Sequence, residues 1–139
     1  VIPNFSVGSM LATRFAAEAG KFFDSIEIVE THHAGKLDSP SGTAVRTAEL
    51  ISANRTTPVT APAADQDARG QLVAGIPVHS LRLAGVSAKQ DVHFGGVSEL
   101  LTISHETSSL SAYSAGILAS IRFAAKAQGL HVGLDAVFK

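Results

Sequence analysis

The stretch from Ser25 to Ala44 constrains this chain more than any other. Ser25-Ile26-Glu27-Ile28-Val29-Glu30-Thr31-His32 alternates with period two and is rich in β-branched side chains, which specifies a strand. Ala34 to Pro40 form a loop after it. Ser41-Gly42-Thr43-Ala44 then opens a helix that runs to about Asn54, with Val45, Ala48, Leu50 and Ile51 as its apolar stripe. Upstream, Val7, Met10, Leu11, Phe15, Ala19 and Phe22 recur at helical spacing from about Ser6 to Phe23, with Ser6 or Asn4 as the cap.

From Arg55 to about Gly75 the chain is rich in Ala, Thr, Pro, Asp and Gly without periodicity, which reads as a long surface loop. Three strands follow: Pro77 to Leu83, Ser87 to Phe94 and Glu99 to His105. Turns are expected at Gly85 and at Gly95-Gly96. A last helix runs from about Ser111 to Ala127 and stops at Gly129, ahead of a short apolar tail. The order predicts an α+β fold: a four-stranded mixed sheet with helices on one face. The open sheet face then needs cover, and packing sheet on sheet between subunits supplies it.

Bulk properties narrow the function classes. A chain of 139 residues suits one domain, or one domain and part of another, and 45% hydrophobic residues give it a core. The net charge of −1 and the lack of a basic run give no nucleic-acid face. No apolar run is long enough to span a membrane, so a soluble, cytoplasmic protein is expected. There is no cysteine, hence no thiolate chemistry. The start at Val1-Ile2-Pro3-Asn4, without Met, reads as the point where a missing N-terminal part joins.

The residues able to carry chemistry cluster between Glu30 and Ala44. At the start of a helix, backbone N–H groups are unsatisfied and the dipole adds positive charge, so Ser41-Gly42-Thr43 suits a carboxylate or phosphate. Gly42 allows close approach, and Ser41 or Thr43 adds a hydroxyl donor. Lys36 and a protonated histidine add cationic charge, and a histidine transfers protons near neutral pH. Asp38 could orient Lys36. Met alone, Ser-Gly-Thr before a helix is more often a plain cap. Two adjacent histidines at a strand end point to opposite faces, so no metal is expected. His79, His93 and His105 read as structural, and His131 as a surface residue.

Glu30-Thr31-His32-His33-Ala34-Gly35-Lys36-Leu37-Asp38-Ser39-Pro40-Ser41-Gly42-Thr43-Ala44 resembles the signature of the dihydrodipicolinate reductase family, E-x-H-H-x-x-K-x-D-x-P-S-G-T-A, at every fixed position. Pro3 to Gly8, Ile76 to Arg82, the Phe94-Gly95-Gly96 stretch and Gly129 to Phe138 are also similar to family sequence. The resemblance implies NADH- or NADPH-dependent reduction of a cyclic dicarboxylated imine, 4-hydroxy-tetrahydrodipicolinate, in lysine and diaminopimelate biosynthesis. It implies that His32 is the general acid/base and Lys36 the proton donor. His33, Gly42 and Thr43 would contact a substrate carboxylate, and Ile2, Pro3, Asn4 and Phe5 would flank the nicotinamide. It divides the chain into a hinge (1–8), a substrate-binding and oligomerisation domain (9–128) and a tail returning toward the nucleotide-binding domain (129–139). A nucleotide-binding domain of on the order of a hundred residues would precede Val1. The implied partners are a small dicarboxylate and further copies of the chain in a homo-tetramer.

One position departs from the family. An arginine usually stands shortly before the last helix, and here Leu110 takes its place. Two alternatives therefore stand beside the reductase: an assembly module without catalysis, and a related two-domain dehydrogenase acting on another acid.

Overall fold

The structure, a computed structural model, describes residues 1–138. Its elements are α1 (Val7–Ala19), β1 (Ser25–His33), α2 (Gly42–Ala53), β2 (Gln71–Val73), β3 (Ile76–Leu83), β4 (Ala88–Gly96), β5 (Glu99–Thr107) and α3 (Ser114–Ala124). The strands form one sheet in the order β2-β3-β1-β4-β5. β1 runs parallel to β3 and antiparallel to β4, so the sheet is mixed. No helix among the described residues is long and apolar enough to cross a membrane.

The α+β class and the mixed sheet agree with the sequence reading, but the sheet has five strands, not four. The extra strand, β2, lies inside the stretch read as loop. It is three residues long and pairs with the start of β3 through Ala74 (φ 50°) and Gly75 (φ 85°). Two consecutive left-handed residues make the tight hairpin turn that the sheet twist favours. Alanine at its first position hid the signal that Asn or Asp would have given.

Side-chain alternation explains the core. Ile26 and Ile28 of β1, Ile76 and Val78 of β3, and Val92 and Phe94 of β4 share one face. Ala16 of α1 and Ala44, Ala48 and Ile51 of α2 pack on that face. Alanines on the helix side let the helices approach closely, and truncating Ile28 there to Ala would cost about 2–5 kcal/mol. Among the described residues the opposite face lacks a helix. It carries Glu27 between Arg69 and His79, the Lys89–Asp91 pair, and exposed Leu72, Leu81, Leu83 and Leu100. α3 does not cover the sheet; its Gly116 packs on the backbone of Phe5.

Several boundaries move. α1 stops at Ala19, not near Phe23, because the buried Arg55 side chain donates to the Gly20 and Phe23 carbonyls. A longer helix would need the Gly20 carbonyl for its own ladder. Gly95 and Gly96 lie in β4, and the turn falls at Val97-Ser98. These glycines serve packing: a Cβ on Gly96 would lie 3.1 Å from the Phe23 ring. The last helix is preceded by a 3-10 turn, Leu110–Tyr113, and ends at Ala124. Ser6, not Asn4, caps α1 by accepting the Ser9 N–H at 3.2 Å.

The tail folds back. Leu134 is buried, Asp135 pairs with Arg14 of α1 at 2.7 Å, and the Gly133 N–H donates to the Val1 carbonyl at 2.9 Å. Lys139, the end of the expected tail segment, lies outside the described residues.

Candidate functional site

The parallel strands β1 and β3 end side by side, with His32 opposite Arg82. The start of α2 lies over that end, and a cleft of about 470 Å³ opens there. Its floor carries His32, His33 and Lys36, and one wall is Ser41, Gly42 and Thr43. Pro3, Asn4 and Phe5 form a second wall, and Leu110 and Tyr113 a third. Of the residues expected to act on or bind a substrate or cofactor, the fold gathers all here except Ile2. That side chain sits in a separate hollow against α3 and the tail, beside Ser120, Phe123 and His131.

Glu30 organises the site from below. Its side chain is fully buried in line with Ile26 and Ile28, at the end of a core-facing register. Arg82 grips it with two parallel bonds, both 3.0 Å, the bidentate geometry that suits a carboxylate. The same guanidinium donates to the carbonyls of Lys36 (3.2 Å) and Asp38 (2.6 Å), which holds the loop carrying Lys36. Burial pushes the Glu30 carboxyl up, but hydrogen bonds from Arg82, Ser80 and His32 outweigh it and hold the group below its ordinary value.

The ionised Glu30 carboxylate lies 2.5 Å from His32 Nδ1. An acceptor there keeps the proton on Nδ1 and leaves Nε2 as the ring atom not engaged by Glu30. Glu30 also accepts the Ser41 N–H at 3.2 Å, so one carboxylate ties the histidine to the helix start. Lys36 Nζ donates to Asp38 at 2.7 Å; Asp38, exposed, keeps its carboxyl low chiefly through that bond.

The helix start is partly used and partly open. Ser41 Oγ accepts the Ala44 N–H, and the Val45 N–H returns to the Ser41 carbonyl. Among the described residues, the N–H groups of Gly42 and Thr43 donate to no protein acceptor. A Cβ added to Gly42 would meet no atom within 4 Å, so the space in front of this residue is open. Two outward N–H groups, a hydroxyl, an ammonium and two imidazoles on one cleft make a cationic surface with proton-transfer groups. No group of three or more metal-ligating side chains occurs among the described residues.

Sequence reasoning missed Arg82, Tyr113 and the organising part of Glu30. A signal for two of them was present. Ile26-x-Ile28-x-Glu30 and Ile76-x-Val78-x-Ser80-x-Arg82 each put a charge in line with core positions, and buried charges come in pairs. His105, read from the sequence as structural, packs against the cap of α1. It bonds to Ser6 Oγ at 3.2 Å and shares with His32 a hollow of about 30 Å³ behind the cleft. Burial lowers its pKa.

Comparison with known proteins places this geometry. A family model described as dihydrodipicolinate reductase, C-terminus, matches residues 8–138. A 4-hydroxy-tetrahydrodipicolinate reductase of Clavibacter sepedonicus is 66% identical over 137 residues, which cover 97% of this chain and 50% of that protein. The protein of the same name from Streptomyces griseus is 45% identical over 141 residues, covering 97% and 56%. A solved structure described as dipicolinate-bound dihydrodipicolinate reductase from Paenisporosarcina sp. TG-14 superposes with a TM-score of 0.84 at 38% identity, covering 98% of this chain and 53% of that one. The chain thus spans about half the length of the curated relatives it matches.

Proposed function

The chain belongs to the dihydrodipicolinate reductase family as its C-terminal domain, and from that premise we propose that it is the substrate-binding half of an NADH- or NADPH-dependent reductase. The proposed reaction takes 4-hydroxy-tetrahydrodipicolinate to tetrahydrodipicolinate in lysine and diaminopimelate biosynthesis. One hydride and one proton enter, and water leaves. Pro3 and Phe5 give the cleft an apolar wall, which fits a flat nicotinamide ring beside the substrate. The cofactor, when bound, supplies the hydride.

The remaining work falls to this chain. Gly42 N–H, Thr43 N–H and the Thr43 hydroxyl hold one substrate carboxylate, and His33 contacts it from the cleft floor. Lys36 supplies a proton, and His32, its tautomer set by Glu30, exchanges one through Nε2. The observation that carries the reading is the pair of unengaged N–H groups at the helix start, on residues that line the same cleft as Lys36, His32 and His33.

Calorimetric titration with pyridine-2,6-dicarboxylate tests it. Saturable binding is expected. Lys36→Ala should weaken it by about 10–100-fold, the worth of one charge-assisted hydrogen bond. No binding to the full-length protein would refute the reading.

A module without catalysis is the second reading, favoured by Leu110, which lines the cleft 76% exposed and offers no donor. Reductase activity in the full-length protein would eliminate it. The helix-free sheet face, with its four exposed leucines, supports self-association sheet on sheet, and a homo-tetramer is the proposed assembly. Light scattering tests this, and a monomer at micromolar concentration would refute it.

A further inference from the structure

We infer that Asn4 is a positioning residue that sets the Thr43 hydroxyl as a hydrogen-bond donor to the substrate carboxylate. The inference rests on the proposed function of the cleft and adds a task to a residue otherwise placed beside the cofactor.

Every polar atom of the Asn4 amide is engaged. Oδ1 accepts the Ser6 N–H at 2.9 Å, and Nδ2 donates to Ser9 Oγ at 3.2 Å and to Thr43 Oγ1 at 3.1 Å. A backbone N–H can only donate, so the Ser6 contact identifies Oδ1 and leaves Nδ2 as the group facing Thr43. A threonine hydroxyl has one proton and two lone pairs. Asn4 occupies a lone pair, so the proton must point elsewhere. Among the described residues no protein acceptor takes it. Thr43 lines three open spaces, the cleft among them, and a carboxylate held at the Gly42 and Thr43 N–H groups is the acceptor that would draw the proton into the cleft.

The arrangement also joins two parts of the site. Asn4 belongs to the stretch just before α1, whereas Thr43 lies on the first turn of α2, 39 residues on. A displacement of residues 3–5 that withdrew the amide would free the Thr43 hydroxyl to rotate. The substrate carboxylate therefore senses the position of that stretch, and by linkage its binding favours the position seen here.

A double-mutant cycle in the full-length protein tests this, read by calorimetry with pyridine-2,6-dicarboxylate and by steady-state kinetics. Asn4→Leu should weaken binding of the dicarboxylate about tenfold and raise KM by a similar factor. In a Thr43→Val background the same substitution should change binding less than about twofold, because the hydroxyl it positions is gone. Asn4→Asp is the companion variant should Asn4→Leu fold poorly. It keeps the acceptor for Ser6 N–H but turns a second acceptor toward Thr43 and captures the hydroxyl proton. Its added charge acts in both backgrounds, so the expected result is an effect at least about fivefold larger with Thr43 present. Equal effects in the two backgrounds would overturn the inference and leave the cleft reading standing. Absence of binding to the unmodified protein would overturn both.

Discussion

Gly42→Ala should separate stability from binding. Gly42 is the first residue of α2 after the Ser41 cap, and its φ is not in the left-handed region. An added Cβ would meet no atom within 4 Å. Neither strain nor a clash opposes alanine. Relative to glycine it lowers unfolded-chain entropy and favours the helix by about 0.5–1 kcal/mol. For a chain of this size that raises Tm by about 2–4 °C. Binding should move the other way, because the methyl enters the open space through which a carboxylate reaches the Gly42 and Thr43 N–H groups. Loss of one such charge-assisted bond costs about 1.5–3 kcal/mol, which is about 10–100-fold in Kd. The assays are thermal unfolding by circular dichroism and calorimetric titration with pyridine-2,6-dicarboxylate. A lower Tm would show that glycine serves the backbone. An unchanged Kd would show that the anion does not sit at the helix start, and either result refutes the reasoning.

Glu30→Gln should destabilise the protein by about 3–5 kcal/mol in urea unfolding, because it leaves the Arg82 guanidinium without its buried counter-charge. The acid limb follows from the direction of the shift: folding lowers the Glu30 carboxyl from 4.5, so its stabilisation is complete above about pH 4.5 and fades as pH falls through the folded value. The variant should therefore lose less stability than the parent between about pH 4.5 and pH 3, read from urea midpoints across that range. Gly116→Ala should cost about 2–3 kcal/mol or prevent folding, since its Cβ would fall 1.9 Å from the Phe5 carbonyl oxygen; a neutral Tm would contradict that packing.

Much of the fold was legible because its signals are local. The β-branched alternation from Ser25 marks β1, and the Ser41 cap marks the start of α2. What stayed hidden depends on residues far apart in the chain. β2 is specified by pairing with β3 and not by its own three residues. α1 ends early because Arg55, 35 residues beyond Gly20, takes its carbonyl. The cleft follows the same division. His32, His33, Lys36, Gly42 and Thr43 lie within one strand–loop–helix unit, so spacing alone groups them. Arg82 joins only through the β1–β3 register, and Tyr113 only because the 3-10 turn before α3 folds over the cleft. Ile2 stands next to Pro3 in sequence yet lies in another hollow, because contiguity in the chain does not fix the direction of a side chain.

The clamp between Glu30 and Arg82 joins residues 52 apart, across the one parallel pairing in the sheet. Such a contact closes a long loop before it gains energy, so it should form late on the folding route. The loop bearing Lys36 is held by that same arginine, and the cleft is therefore complete only in the finished fold. A dicarboxylate that reads this arrangement gains nothing from a half-formed chain. It should slow unfolding and leave the refolding rate as it is, so that a bound dicarboxylate lengthens the lifetime of the native state without hastening its birth.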